Sequence, residues 1–160
     1  MFRRVVAVLF VLAAGLGPAV GRAEVDVIRS AEQLQALFSD RTLVGRFLSG
    51  DTFKEYYSPD GRVAYVQLQC LHSGTWWVET LSRDFGMLQA GLPIICFDYP
   101  SLTAKDDPAC FAVGGSKGRE RFYPIGGDPS NTGIPSAIAE RWTPGNSENL
   151  PLGEDNCPSA

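Results

Sequence analysis

The sequence predicts a mainly β domain: a small antiparallel barrel or sandwich of about seven strands, led by one short helix and followed by an irregular, Pro-rich tail. Three observations predict it. Apolar residues recur with period two through most of residues 43–125. Strong turn signals such as Ser58-Pro59-Asp60-Gly61 and Gly114-Gly115-Ser116-Lys117-Gly118 separate the short runs. The cysteines Cys70, Cys96, Cys110 and Cys157 are even in number, as expected of a disulfide-stapled exported domain.

The N-terminal tip reads as an export signal. Met1-Phe2-Arg3-Arg4 supplies the positive end, and residues 5–16 form an apolar run. That run is well short of the ~20 residues a bilayer-spanning helix needs. Gly17-Pro18 ends it, and Gly21-Arg22-Ala23 places small residues before a cut after Ala23. The expected organisation is a signal peptide over 1–23, a β domain with its helix over 24–127, and a partly ordered Pro-rich tail over 128–160. The expected address is periplasmic or secreted, with no membrane span after cleavage.

Ser30 opens the helix as N-cap, with Gln33 three residues on completing a capping-box pattern. Leu34, Leu37 and Phe38 fall on one face at i, i+3 and i+4, a face suited to packing on or plugging the end of a barrel. The helix ends by Asp40. Strands are then expected over 43–48, 52–57, 62–70, 74–80, 92–99, 109–113 and 119–125. In the third, alternation places Ala64, Val66, Leu68 and Cys70 inward and Val63, Tyr65, Gln67 and Gln69 outward. A turn at Leu71-His72-Ser73-Gly74 leads to the strand carrying Trp76 and Trp77. Adjacent strand residues point to opposite faces, so Trp76 is expected in the core and Trp77 on the outer face or under the tail. After Gly126 prolines recur among Gly, Asn and Ser, with at most a turn of helix at 136–141.

The two pairs expected are Cys96–Cys110, on strands joined by a Pro- and Asp-rich connector, and Cys70–Cys157, which would staple the tail to the barrel wall. Zinc does not suit a chain with one His and no CxxC, and the Asp106-Asp107 pair lacks the repeated oxygen ligands of a calcium loop. No metal or cofactor is expected. Removing Arg3, Arg4 and Arg22 lowers the basic count from 14 to 11 against 18 acids, a net charge of −7. Such a balance argues against nucleic acid and anionic membrane surfaces as partners.

Several pieces recur in a fixed order: Phe53-Lys54-Glu55-Tyr56-Tyr57, the Pro59-Asp60-Gly61 turn, Gly74-Thr75-Trp76-Trp77-Val78, and Cys96-Phe97-Asp98-Tyr99 answered by Cys110. Over residues 30–125 this order resembles a group of exported proteobacterial β-domain proteins of uncharacterised function. The Gly-x-Trp strand is also similar to those of lipocalin- and avidin-like barrels. The resemblance implies a small β domain outside the cytoplasm and carries no known catalytic activity. The connector 81–91, the tail, Cys70 and Cys157 depart from the pattern.

Chemistry-bearing candidates are few. His72 is the single histidine, and no nucleophile-elbow motif accompanies Ser58, Ser73, Asp60 or Asp98. Glu55, Glu79 and Asp98 are strand acids, read as solvated on an outer face. An inward Asp98 would need a partner such as Arg62 or Arg119. The aromatic set points to a ligand cavity or partner surface, for which Trp77, Tyr57, Tyr65, Tyr99 and Asp98 are the candidates. The expected function is a non-catalytic binding or interaction module for an unknown protein or a small apolar ligand. Two alternatives stay open: an inhibitor of a basic cell-wall hydrolase such as lysozyme, which an acidic module would suit, and a small envelope enzyme.

Overall fold

The computed structural model describes residues 26–103, 107–131 and 133–157. The expected signal segment, 1–23, and Asp106 lie outside the described residues. Helix α1 (Ala31–Phe38) is followed by β1 (Arg41–Phe47), β2 (Thr52–Tyr57), β3 (Arg62–Gln67), β4 (Cys70–Thr80), β5 (Pro93–Asp98), β6 (Ala109–Gly114), β7 (Arg121–Ile125) and β8 (Ala137–Pro144). Every pairing is antiparallel and sequential, and β8 returns to β1 to close a barrel. The predicted barrel class therefore holds, with eight strands where about seven were expected. Closure leaves no open sheet edge to recruit another chain.

The eighth strand comes from the segment read as tail. Residues 137–144 are strand, not the expected turn of helix at 136–141, and the chain is irregular only beyond them. The pattern is hidden by a bulge. Gly45 pairs with Ala139 and Val44 with Arg141, so Glu140 is an extra residue. Ala137, Ala139 and Trp142 consequently pack into the barrel core, with the strand period of two broken between Ala139 and Trp142. The β7–β8 seam is narrow, with register pairs only at Arg121–Ile138 and Phe122–Ala137.

Helix α1 starts as the sequence predicts: the Gln33 amide donates to Ser30 Oγ at 3.3 Å. Its apolar face closes one end of the barrel. Leu34 and Phe38 are fully buried in the core with Leu43, Tyr57, Val63, Trp76, Ile95, Phe97, Val113 and Phe122. The Phe38 ring lies 4.8 Å from Tyr57 and 5.2 Å from Trp142, both edge-on. Trp76 is in the core as expected and donates from Nε1 to the Ser58 carbonyl at 2.9 Å.

The stretch read as strand 62–70 and turn 71–74 folds differently. The turn is Leu68-Gln69, flanked by the pair Gln67–Cys70, and the next strand runs from Cys70 straight through His72. Both turn residues have positive φ, 49° and 67°, as a two-residue I′ hairpin requires. Neither is Gly, Asn or Asp, so the usual sequence signal is missing. Left-handed backbone costs an ordinary residue about 1–2 kcal/mol. Replacing Leu68→Asn with Gln69→Gly should therefore raise stability by about 1 kcal/mol or more, read as a higher urea midpoint at unchanged slope. A lower midpoint would contradict this turn.

The face assigned to β3 is also reversed. Val63 and Tyr65 point into the barrel, while Ala64 and Val66 face outward, and Leu68 is exposed. Alternation misled because both faces of β3 are covered. The chain after β8 crosses the outside of β2–β4, packing Leu150 and Leu152 on Tyr56, Ala64, Val66 and Leu71. Polar contacts fix this strap. Thr42 Oγ1 donates to the Gly145 carbonyl at 2.6 Å, and the Ser73 amide donates to Asp155 Oδ1 at 2.6 Å. The Cys70–Cys157 disulfide ends it. The Cys96–Cys110 disulfide joins directly paired residues of β5 and β6. Both expected pairings are thus present.

A second covering layer explains why β5 is apolar on both faces from Pro93 to Phe97. Leu81, Leu88 and Leu92 of the connector pack over Ile94, Cys96, Ala112 and Tyr123 on the outer wall. Trp77 lies under this connector, half-buried, rather than under the tail. Among the described residues no helix is long and apolar enough to cross a membrane.

Candidate functional site

The end of the barrel opposite α1 holds a cavity of about 260 Å³. Its wall is aromatic: Phe47, Phe53, Tyr65, Phe97, Tyr99, Phe111 and Phe122. Leu102, Thr103, Ala109 and Ser136 stand at the mouth, where Leu102 is 54% exposed. The wall needs a glycine. A Cβ on Gly45 would lie 2.4 Å from Phe53 Cζ, so only glycine lets that ring lie across β1.

Glu55 is the one ionisable acid among the described lining residues. It follows Phe53 and precedes Tyr57 on the inward face of β2, opposite Leu43 of β1 and Tyr65 of β3. Its side chain is 6% exposed, which corrects the expectation of a solvated outer-face acid. Tyr57 Oη donates to Glu55 Oε2 at 2.5 Å, and Tyr99 Oη donates to Oε1 in a short hydrogen bond. Each carboxylate oxygen thus has its own hydroxyl donor. Burial nevertheless dominates. It pushes the Glu55 carboxyl from 4.5 up to about 7, while the bonds from Tyr57 and Tyr99 pull it down. The same burial, with the Glu55 charge nearby, holds Tyr57 and Tyr99 well above the ordinary tyrosine value.

Of the residues singled out from the sequence, Tyr57, Tyr65 and Tyr99 converge here, with Glu55 between them. Tyr65 lines the cavity and donates to Gln67 Oε1 at 2.5 Å. Trp77 does not join them: it lies on the outer wall, donating from Nε1 to Glu79 Oε2 at 2.9 Å. Asp98 is likewise on the other face. It is exposed and accepts from Thr103 Oγ1 at 2.7 Å, so the inward Asp98 with an arginine partner is not what forms. His72 is a buried strand residue rather than a loop one. It stacks on Tyr65 with ring centres 5.9 Å apart, and its Nδ1 is hydrogen-bonded to Ser101 Oγ at 2.9 Å.

The residue that sequence reasoning missed is Glu55. The signal was present in Phe53-x-Glu55-x-Tyr57, an acid with aromatics two residues to either side. Aromatics on the inward face of a strand carry the acid inward with them. The sites where sulfur gathers with other ligand atoms are Cys70 with His72 and Cys157, and Glu79 with Cys96 and Cys110. Their sulfurs are spent in disulfides and offer no thiolate to a metal.

Fold and site together define a closed eight-stranded up-and-down barrel with an aromatic cavity built around a buried carboxyl group. Comparison with protein-family models, curated proteins and solved structures gives no match for this chain.

Proposed function

We propose that the protein is an exported, non-catalytic binding module that holds one small, mainly apolar ligand in the mouth of its barrel. The observation that carries this reading is the aromatic cavity of about 260 Å³ with a buried polar group at its wall, Glu55 held by Tyr57 and Tyr99. An eight-stranded barrel is just wide enough to hold one small ligand. Apolar walls with a few convergent polar groups are the usual make-up of small-molecule sites. The export address draws support from the basic and apolar N-terminal tip and from two disulfides, which persist in oxidising compartments.

The test is direct. Benzyl alcohol titrated into the protein should shift the NMR signals of the Ala109 and Ala137 methyls and of Leu102 at millimolar concentration or below. Ala109→Trp, which fills the mouth, should abolish those shifts while the barrel stays folded. Absence of shifts in the wild type, or equal shifts in Ala109→Trp, would refute the cavity as a binding site.

One observation favours a second reading, a small envelope enzyme: a carboxyl group poised near 7 suits general acid–base work. That reading predicts that a bound ligand is consumed over time. The binding reading predicts that its signals persist unchanged.

A further inference from the structure

We infer that the ligand of this cavity is a small organic cation, an apolar amine carried as its ammonium ion, seated among the aromatic rings with its charge against the Glu55 carboxylate. The inference rests on the cavity-binding reading above and deepens it by naming the chemical class.

Three features of the site converge on a cation. The first is charge. Glu55 is the only ionisable acid among the described lining residues, and none of those residues is Lys, Arg or His. A buried carboxylate without a counter-charge is costly, and an incoming cation is the partner that offsets the cost. An anionic ligand would meet repulsion at the same point.

The second is hydrogen-bond geometry. Both hydroxyls beside Glu55 already donate to it, one to each oxygen. A carboxylate has about four acceptor positions, so each oxygen can still accept an N–H. What the tyrosines cannot supply is positive charge. The third is the wall. Phe53, Tyr65, Phe97 and Tyr99 line the cavity together with the acid, and the faces of such rings attract ammonium groups, more strongly when water is excluded. The apolar remainder of the amine would occupy the space toward Phe111 and Phe122.

The groups facing Glu55 set its response to pH. Tyr57 lies on its own strand, Tyr65 across on β3, and Tyr99 just beyond β5. Each is held above its ordinary value and stays neutral through the pH range of interest. From β1 and α1 come Leu43, Leu34 and Phe38, which do not titrate. His72 sits beside Tyr65. The Glu55 carboxyl is pushed up to about 7, so a cation that selects the carboxylate must displace its proton at lower pH.

Calorimetric titration with benzylamine, benzyl alcohol and benzoate, on the wild type and on Glu55→Gln, tests this. At pH 8 the wild type should bind benzylammonium at least tenfold more tightly than benzyl alcohol, and benzoate weakest. At pH 6 the amine affinity should fall about tenfold, with close to one proton released per ligand, measured by comparing two buffers of different ionisation heat. Benzyl alcohol should show neither effect. Glu55→Gln should bring the amine down to the affinity of the alcohol. Equal binding of amine and alcohol by the wild type would overturn the cation and leave the cavity reading standing. Tightest binding of benzoate would do the same. Binding of none of the three would overturn both. Should Glu55→Gln not fold, proton release by the wild type decides alone: none at pH 6 overturns the inference.

Discussion

Replacing Phe38 with alanine is expected to lower stability by about 3–5 kcal/mol, read as a shift of the urea midpoint with little change in slope. Phe38 is the last residue of α1 and is fully buried. Its ring centre lies 4.8–6.3 Å from those of Tyr57, Trp142, Phe122, Trp76 and Phe97, which come from five different strands. Removing the ring leaves a hole that the closed barrel wall cannot collapse to fill, so the lost transfer energy is compounded by a cavity. Phe38→Leu keeps most of the volume and should cost much less, about 1–2 kcal/mol. The comparison matters because α1 forms the floor on which the rest of the interior is stacked. A loss below about 1 kcal/mol in Phe38→Ala would mean that the helix does not plug the barrel.

Glu55 should make stability fall as pH rises from about 4.5 to about 7.5. Its carboxyl titrates at 4.5 when unfolded and near 7 when folded, so between those values the folded state binds more protons than the unfolded one. Stability is then greatest below the unfolded value and declines as pH rises through the folded one. The displacement corresponds to about 3 kcal/mol in total. Exposed acids act in the opposite direction and at lower pH. Asp60 is drawn down to about 2 by its bonds with Arg62, and Glu148 is lowered by Lys54. The difference between wild type and Glu55→Gln isolates the buried group from these. It should change by about 3 kcal/mol across the window, with the glutamine variant gaining on the wild type toward neutral pH. A difference independent of pH would place Glu55 in solvent.

Local chemistry made much of the fold legible. The Ser30 cap, the Leu34–Phe38 face, the inward Trp76 and the Cys96–Cys110 pair depend on short-range geometry that residue types announce, and the even cysteine count then leaves Cys70 for Cys157. What escaped depends on the far side of each strand. Ala64 and Val66 read as core because they are apolar, yet the strap carrying Leu150 buries them from outside, leaving Val63 and Tyr65 to face inward. The Leu68-Gln69 turn carries no Gly or Asn, so the signal moved to the next polar cluster, at Ser73-Gly74. The last strand was hidden by its bulge and by flanking prolines. Glu55 was read as a solvated strand acid because acids on strands usually face water, yet its neighbours Phe53 and Tyr57 share its face and point inward. Tyr57, Tyr65 and Tyr99 were found as aromatics, while the carboxyl group that organises them was not.

The most direct measurement is the titration of the Glu55 side-chain carboxyl carbon by NMR in the folded wild-type protein. A midpoint near 7 is expected, shifted to lower pH when benzylammonium is bound. A midpoint near 4.5, unmoved by the amine, would contradict it.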